Sequence, residues 1–166
     1  MYELTKSKYC RGLQCPKILW LDEHHPEFGE NIANKSVLDN GTKVGELARL
    51  YFGNCELVGF DANKNEMVDR TKKLMETADN IAEASFCYES LFCSIDILHR
   101  NDDGWDLVEV KSSTEVSEIY LEDVAFQYYV LTMCEVPVKG VYILYIDNTY
   151  VRGEQLDLKG LFVLEE

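Results

Sequence analysis

The tetrapeptide Asn-Asp-Asp-Gly at residues 101–104 constrains the fold more than any other feature of this 166-residue chain. Asparagine, aspartate and glycine favour tight turns, and runs rich in aliphatic and aromatic residues lie on both sides of this one. We therefore predict a β-hairpin with strands at residues 91–99 and 105–111. A four-residue turn pairs Arg100 with Trp105, and the same register places Asp96 directly opposite Glu109.

The two faces of this predicted hairpin have different chemistry. Because side chains alternate along a strand, Lys111 is expected on the same face as Asp96 and Glu109. The other face is expected to be apolar, with Ile95, Ile97, Val108 and Val110. Two acids directly opposite each other destabilise a sheet unless something offsets their repulsion.

A divalent cation between Asp96 and Glu109 would offset that repulsion. Mg²⁺ prefers hard oxygen ligands and takes one or two carboxylates from a protein. Such an ion polarises a phosphoryl oxygen and lowers the pKa of a bound water, while Lys111 is placed to orient that water or to stabilise charge on a phosphate. Spacing alone leaves open an ordinary solvent-facing hairpin, whose surface ion pairs are worth about 0 to 1 kcal/mol each.

Hydrophobic spacing and turn residues predict the remaining elements. The N-terminal part should form a broken helix from Thr5 or Ser7 to Trp20, kinked or ended by Pro16. Residues 22–41 should be irregular, and a helix should run from Thr42 to Gly53. The other predicted elements are a strand at 57–60, a helix at 65–79, a strand at 82–87, a helix at 121–133 and a strand at 138–146.

Composition limits the classes of protein that this chain can belong to. Its length and 46% hydrophobic content suit one domain spanning residues 1–166. No apolar run approaches the roughly 20 residues that a membrane-spanning helix needs, so we expect a soluble, cytoplasmic protein whose six cysteines are reduced. The net charge of -14 argues against a surface that coats nucleic acid. A small basic strip near the N-terminus contains Lys6, Lys8, Arg11 and Lys17.

Four motifs in this order resemble the core of the PD-(D/E)XK nuclease superfamily, in its RecB-like exonuclease branch. They are Gly45-Glu46 on the first core helix, Ser-Ile-Asp-Ile-Leu at 94–98, Glu109-Val110-Lys111, and the segment 123–129 that ends Gln127-Tyr128-Tyr129. The resemblance implies an α/β (α+β) fold with a restriction-endonuclease-like core, a central mixed sheet of about four to five strands flanked by helices.

The resemblance also implies roles for particular residues. Asp96, Glu109 and the carbonyl of Val110 would bind Mg²⁺ or Mn²⁺, and Glu46 would reach the metal directly or through water. Lys111 would be the catalytic lysine, and Gln127 would hold the site or the DNA in place. The implied activity is metal-dependent hydrolysis of DNA, with a catalytically silent module that binds nucleic acid or a protein partner as the alternative.

The segment at residues 4–17 resembles the start of long bacterial proteins that have a RecB-like nuclease half. In relatives with an iron–sulfur cluster, a Cys-Pro pair near the N-terminus supplies one ligand and three cysteines after the last core strand supply the others. This chain has Cys15-Pro16, but no cysteine follows Cys134. We therefore expect no iron–sulfur cluster here, and we expect the chain to be a fragment of a longer protein.

Overall fold

A computed structural model describes residues 4–28 and 35–166, apart from the side chains of residues 35–39. Its strands are β1 (Leu4–Thr5), β2 (Glu56–Leu57), β3 (Asn80–Tyr88), β4 (Leu91–Asn101), β5 (Gly104–Val110), β6 (Val138–Ile146) and β7 (Phe162–Glu165). Its helices are α1 (Lys6–Gln14), α2 (Pro16–His24), α3 (Lys35–Phe52), α4 (Lys64–Leu74), α5 (Glu118–Met133) and α6 (Leu158–Leu161). A 3-10 turn at Pro26–Phe28 follows α2.

One mixed sheet joins all seven strands of the described residues, in the order β2-β3-β4-β5-β6-β7, with β1 paired to β4. The predicted α/β class with a mixed sheet and flanking helices is confirmed. The predicted count of four to five strands is wrong, because β1 and β7 were not foreseen. A two-residue strand and a four-residue strand are too short for alternation to show in the sequence.

The hairpin register is as predicted. Arg100 pairs with Trp105 and Ile97 pairs with Val108, across a turn closed by Asn101 and Gly104. Gly104 also has no room for a side chain, since an added Cβ would meet the carbonyl oxygen of Pro137. The close approach of Pro137 therefore requires glycine at this position.

The N-terminal helix breaks where proline predicts. Cys15 separates α1 from α2, and Pro16 occupies the first turn of α2, where its missing N–H costs nothing. The start predicted for the next helix is wrong: α3 begins at Lys35, so Thr42 lies inside it. A helix tolerates an internal glycine such as Gly41 at a cost of about 1 kcal/mol. Part of the predicted irregular stretch, residues 29–34, lies outside the described residues.

Two hydrophobic clusters cover the two faces of the sheet. The larger cluster joins the sheet to α4 and α5 and includes Ile81, Ile95, Leu107, Val130 and Leu131. The smaller cluster joins it to α3 and includes Val44, Ala48, Ile97, Val108 and Leu144. The side chains of β5 alternate between the two clusters: Leu107 belongs to the larger cluster and Val108 to the smaller.

Strand β4 does not alternate regularly. Ile95 belongs to the larger cluster and Ile97 to the smaller, so the prediction that they share a face is wrong. Asp96 lies between them, and on β3 the residue at the matching position, Glu83, has a left-handed φ of 59°. Such an irregularity bends a strand and redirects a side chain, and here the redirected side chain is Asp96.

No helix in the described ranges is both long enough and apolar enough to cross a membrane. All six cysteines are free thiols.

Candidate active site

The predicted acids lie where β4 separates from β5. Strand β5 pairs with β4 over Ile97–Asn101, and β1 pairs with the beginning of β4 at Leu91 and Phe92. Since β3 occupies the other edge of β4, β1 and β5 lie along the same edge. Lys6 follows β1 directly, so the N-terminal segment places an ammonium group beside Glu109.

Glu109 is almost fully enclosed, with its side chain only 2% exposed. Its Oε1 accepts hydrogen bonds from Lys6 Nζ at 2.9 Å and from Lys111 Nζ at 2.8 Å. Its Oε2 accepts from Gln127 Nε2 at 2.7 Å and from Lys6 Nζ at 3.1 Å. A carboxylate has about four lone-pair directions, so these donors satisfy Glu109 fully.

Asp96 lies beside Glu109 in a different orientation. Its Oδ2 accepts a hydrogen bond from the backbone N–H of Val110 at 2.8 Å, which places the carboxylate in the gap between β4 and β5. Glu109 instead points toward α1 and α5. The predicted shared face therefore holds for Glu109 and Lys111, while Asp96 departs from simple alternation. Because N–H and C=O of one strand residue point to the same edge, the carbonyl of Val110 also faces the Asp96 side.

The electrostatics of Asp96 reflect this crowded position. Burial raises the pKa of Asp96 to about 7, and the negative charge of Glu109 adds to the rise. The ammonium of Lys6 and the Val110 N–H act in the opposite direction. The direction of this change is the one expected for a metal-free carboxylate pair, although burial contributes more to it than Glu109 does.

Lys111 links Glu109 to a third acid. Its Nζ donates to Glu109 and to Asp123 Oδ2, and it lies 4.8 Å from the ring centre of Tyr120. Burial lowers the pKa of Lys111, but the adjacent carboxylates outweigh burial and raise it overall. Lys111 therefore stays charged at neutral pH.

Gln127 lies at the floor of the site and is completely buried. Its amide nitrogen holds Glu109, while its Oε1 has no hydrogen-bond partner within the described structure. A buried amide oxygen without a partner is uncommon and costs about 1 to 3 kcal/mol. The prediction that Gln127 supports the acid site agrees with its contact to Glu109.

Glu46, the remaining predicted site residue, lies on the helix that borders the cavity beside Asp96. It is exposed on α3. The α3 residues that line the cavity of about 300 Å³ beside Asp96 are Gly41, Thr42, Gly45 and Arg49. Glu46 does not line this cavity, and its role at the proposed metal stays a prediction.

Three further residues complete the cluster without a role predicted from the sequence: Lys6, Cys10 and Asp123. Cys10 Sγ donates to Asp123 Oδ1 at 2.8 Å. Lys6 and Cys10 are four residues apart on α1, and Asp123 and Gln127 are four apart on α5, so each pair shares one helix face. That spacing was the available signal, but only the three-dimensional arrangement connects the two helices.

The residues present suit a divalent cation with few protein ligands. Within residues 4–28 and 35–166, no three side chains of the His, Cys, Asp and Glu types form a group that could hold a metal ion. Mg²⁺ commonly uses one or two carboxylates and keeps several waters, which matches Asp96, Glu109 and the carbonyl of Val110. The Lys6 ammonium, attracted by both carboxylates, is a stand-in cation at this place.

Comparisons with protein families and curated proteins give no function for this chain, so the interpretation of the site rests on its geometry. No family model matches the chain, and no curated protein matches it.

Proposed function

We propose that this protein is a Mg²⁺- or Mn²⁺-dependent DNA nuclease, with exonuclease activity of the RecB-like kind. The observation that carries the proposal is the buried carboxylate of Glu109, held by two lysines and a glutamine beside a second acid with a raised pKa. Burying charges is costly, and an apolar core would stabilise this fold at least as well. Clusters of perturbed ionisable groups of this kind occur most often at functional sites.

Asp96, Glu109 and the carbonyl of Val110 would hold the cation. When bound, the cation lowers the pKa of a water and polarises a phosphoryl oxygen. Gln127 fixes the orientation of Glu109 through its 2.7 Å hydrogen bond. Lys111 carries a positive charge fixed between two carboxylates, which suits it to stabilise charge that develops on a phosphate.

The cavity beside Asp96 gives a phosphate a place to approach. Arg49 lines it, and its Nε donates to the carbonyl of Gly45 at 3.4 Å. A guanidinium group matches phosphate geometry well. Gly41 and Gly45 lie on the same side of α3, and a Cβ added at either would meet nothing within 4 Å. The backbone of α3 is therefore accessible from the cavity.

A second candidate is a catalytically silent module that binds nucleic acid or a protein partner. The saturation of Glu109 by three donors favours it, since a charge-balanced network can exist for stability alone. The net charge of -14 also favours a partner other than nucleic acid.

Cleavage and DNA affinity measured side by side separate the two candidates. Linearised and closed circular plasmid are incubated with the protein in Mn²⁺ or in chelator, and an exonuclease degrades the linear form only. Lys111→Ala should slow cleavage by about 10²- to 10³-fold with little change in affinity, as expected for loss of one preorganised donor. Asp96→Asn should abolish metal-dependent cleavage, because it removes ligand charge from the cation.

Lys73→Ala, at an exposed position on α4, is the matched control and should cleave like the wild type. Cleavage that survives both Lys111→Ala and Asp96→Asn would place the chemistry elsewhere. DNA binding without cleavage by any variant would favour the silent module.

A further inference from the structure

We infer that Lys6 is a built-in competitor of the divalent cation: its ammonium occupies the cation position on Glu109, and metal binding releases it. This inference rests on the proposed function, since it concerns regulation of the same site. Lys6 has no role in the proposed chemistry, yet it makes two hydrogen bonds to the central carboxylate.

The fold holds Lys6 at this place through its neighbours in the chain. The N–H of Leu4 donates to the carbonyl of Ser90 at 2.9 Å, which anchors β1 at the start of β4. Thr5 then caps α1 by accepting from the N–H of Lys8. Lys6 is the first residue of α1, so its side chain reaches Glu109 from a fixed backbone position.

The hydrogen bonds of Glu109 leave no free place for a cation. Lys6 contacts both carboxylate oxygens, so a metal ion that binds Glu109 through either oxygen must displace at least one of its donors. Gln127 is fully buried, and Lys111 is also held by Asp123. Among the described residues Lys6 donates hydrogen bonds to Glu109 and to no second acid, so its release breaks the fewest other contacts.

Charge balance explains why the metal-free site contains a lysine at all. Asp96 and Glu109 repel each other, and the Lys6 ammonium is attracted by both. A divalent cation would offset the repulsion between these two carboxylates in the same way, with twice the positive charge of the Lys6 ammonium. Lys6 and the cation therefore bind one site in alternation, and the segment of β1 and α1 changes when the cation arrives.

Titration of the metal-free protein with Mn²⁺ alone tests the competition. Lys6→Met should bind Mn²⁺ about 10- to 100-fold more tightly than the wild type, because binding no longer breaks hydrogen bonds between two charged groups. Lys17→Met removes the same charge at an exposed position on α2 and should change the affinity by less than about 2-fold at physiological salt. Equal or weaker binding by Lys6→Met overturns the inference.

Two further measurements keep the test decisive if Lys6→Met is poorly folded. Lys6→Gln keeps an amide donor for Glu109 without the charge and should also bind Mn²⁺ more tightly. In the wild type, Mn²⁺ should speed hydrogen exchange of amides in residues 4–14 but not in β6. An unchanged exchange rate in that segment contradicts release of Lys6.

The two proposals fail in different ways. If the wild type binds Mn²⁺ and both Lys6 variants bind it equally well, the competition is refuted and the proposed nuclease site stands. If neither the wild type nor the Lys6 variants bind Mn²⁺, the metal site and the competition fail together.

Discussion

Replacing Asp96 with asparagine should stabilise the metal-free protein above neutral pH. The side-chain oxygen of the introduced asparagine can still accept from the Val110 N–H, so the hydrogen bond in the gap is kept. The substitution removes one negative charge beside Glu109, and after burial the repulsion between these two acids is the main reason for the raised pKa of Asp96.

The magnitude follows from the pKa of Asp96. Burial and Glu109 raise it from 3.8 to about 7 in the folded protein. When the pKa of an acid is higher in the folded protein than in the unfolded chain, the acid stabilises the fold at pH values below its pKa in the unfolded chain. This stabilisation is lost as the pH rises toward its pKa in the folded protein. The upper limit of the loss is about 4 kcal/mol, at about 1.4 kcal/mol for each pH unit. Because Asp96 is partly exposed, we expect about 2 kcal/mol, or about 4 to 8 °C in Tm.

Thermal and urea unfolding in chelator at pH values from about 4 to 8 measures this effect. The advantage of Asp96→Asn over the wild type should grow from about pH 4 to pH 7 and then level off. Asp103→Asn, in the exposed turn of the same hairpin, is the control and should show no such trend. A variant that is less stable than the wild type at pH 8 would refute the reasoning, since Asp96 would then stabilise the fold as an ion.

Three other perturbations probe the same network and its scaffold. Millimolar Mg²⁺ or Mn²⁺ should raise the Tm of the wild type but not that of Asp96→Asn. At a metal concentration of 100 times Kd, the rise corresponds to about 2.7 kcal/mol of added stability. An unchanged Tm of the wild type counts against a preformed site. Gln127→Glu should lower the free energy of unfolding by at least about 2 kcal/mol at pH 7, and by less at pH 5, because a carboxylate replaces the donor to Glu109. Gly104→Ala should cost about 1 to 3 kcal/mol in urea unfolding, whereas Gly153→Ala, with open space around its Cα, should cost little.

The hairpin at the centre of the site could be predicted from sequence because local rules determine it. Turn chemistry at 101–104 set the register, and the register brought Asp96 and Glu109 to adjacent strands. The bounds of β6 were also predictable, since an apolar run between a proline and an Asp-Asn pair leaves few alternatives. Lys111 joined Glu109 because residues two apart share a strand face.

The contributions of distant segments could not be predicted in this way. Lys6 is 103 residues from Glu109 in the sequence, and its position depends on a two-residue strand with no periodic signal. The irregularity at Asp96 and Glu83 also lacks a signal, because a glutamate with positive φ is uncommon and no glycine marks the position. Glu46 was assigned from a motif alone, and α3 presents Gly45 to the cavity instead.

In the proposed metal site, the irregularity at Asp96 gives this residue two tasks that use different oxygens. Where β4 and β5 separate, the Val110 N–H loses its acceptor in the neighbouring strand, and a buried N–H without a partner is costly. Oδ2 of Asp96 fills that need, which leaves Oδ1 for a cation on the same side as the Val110 carbonyl. Asparagine can perform the first task and supplies no charge for the second. Stability at pH 8 and Mn²⁺ affinity should therefore change in opposite directions in Asp96→Asn, and parallel changes would show that one task does not exist.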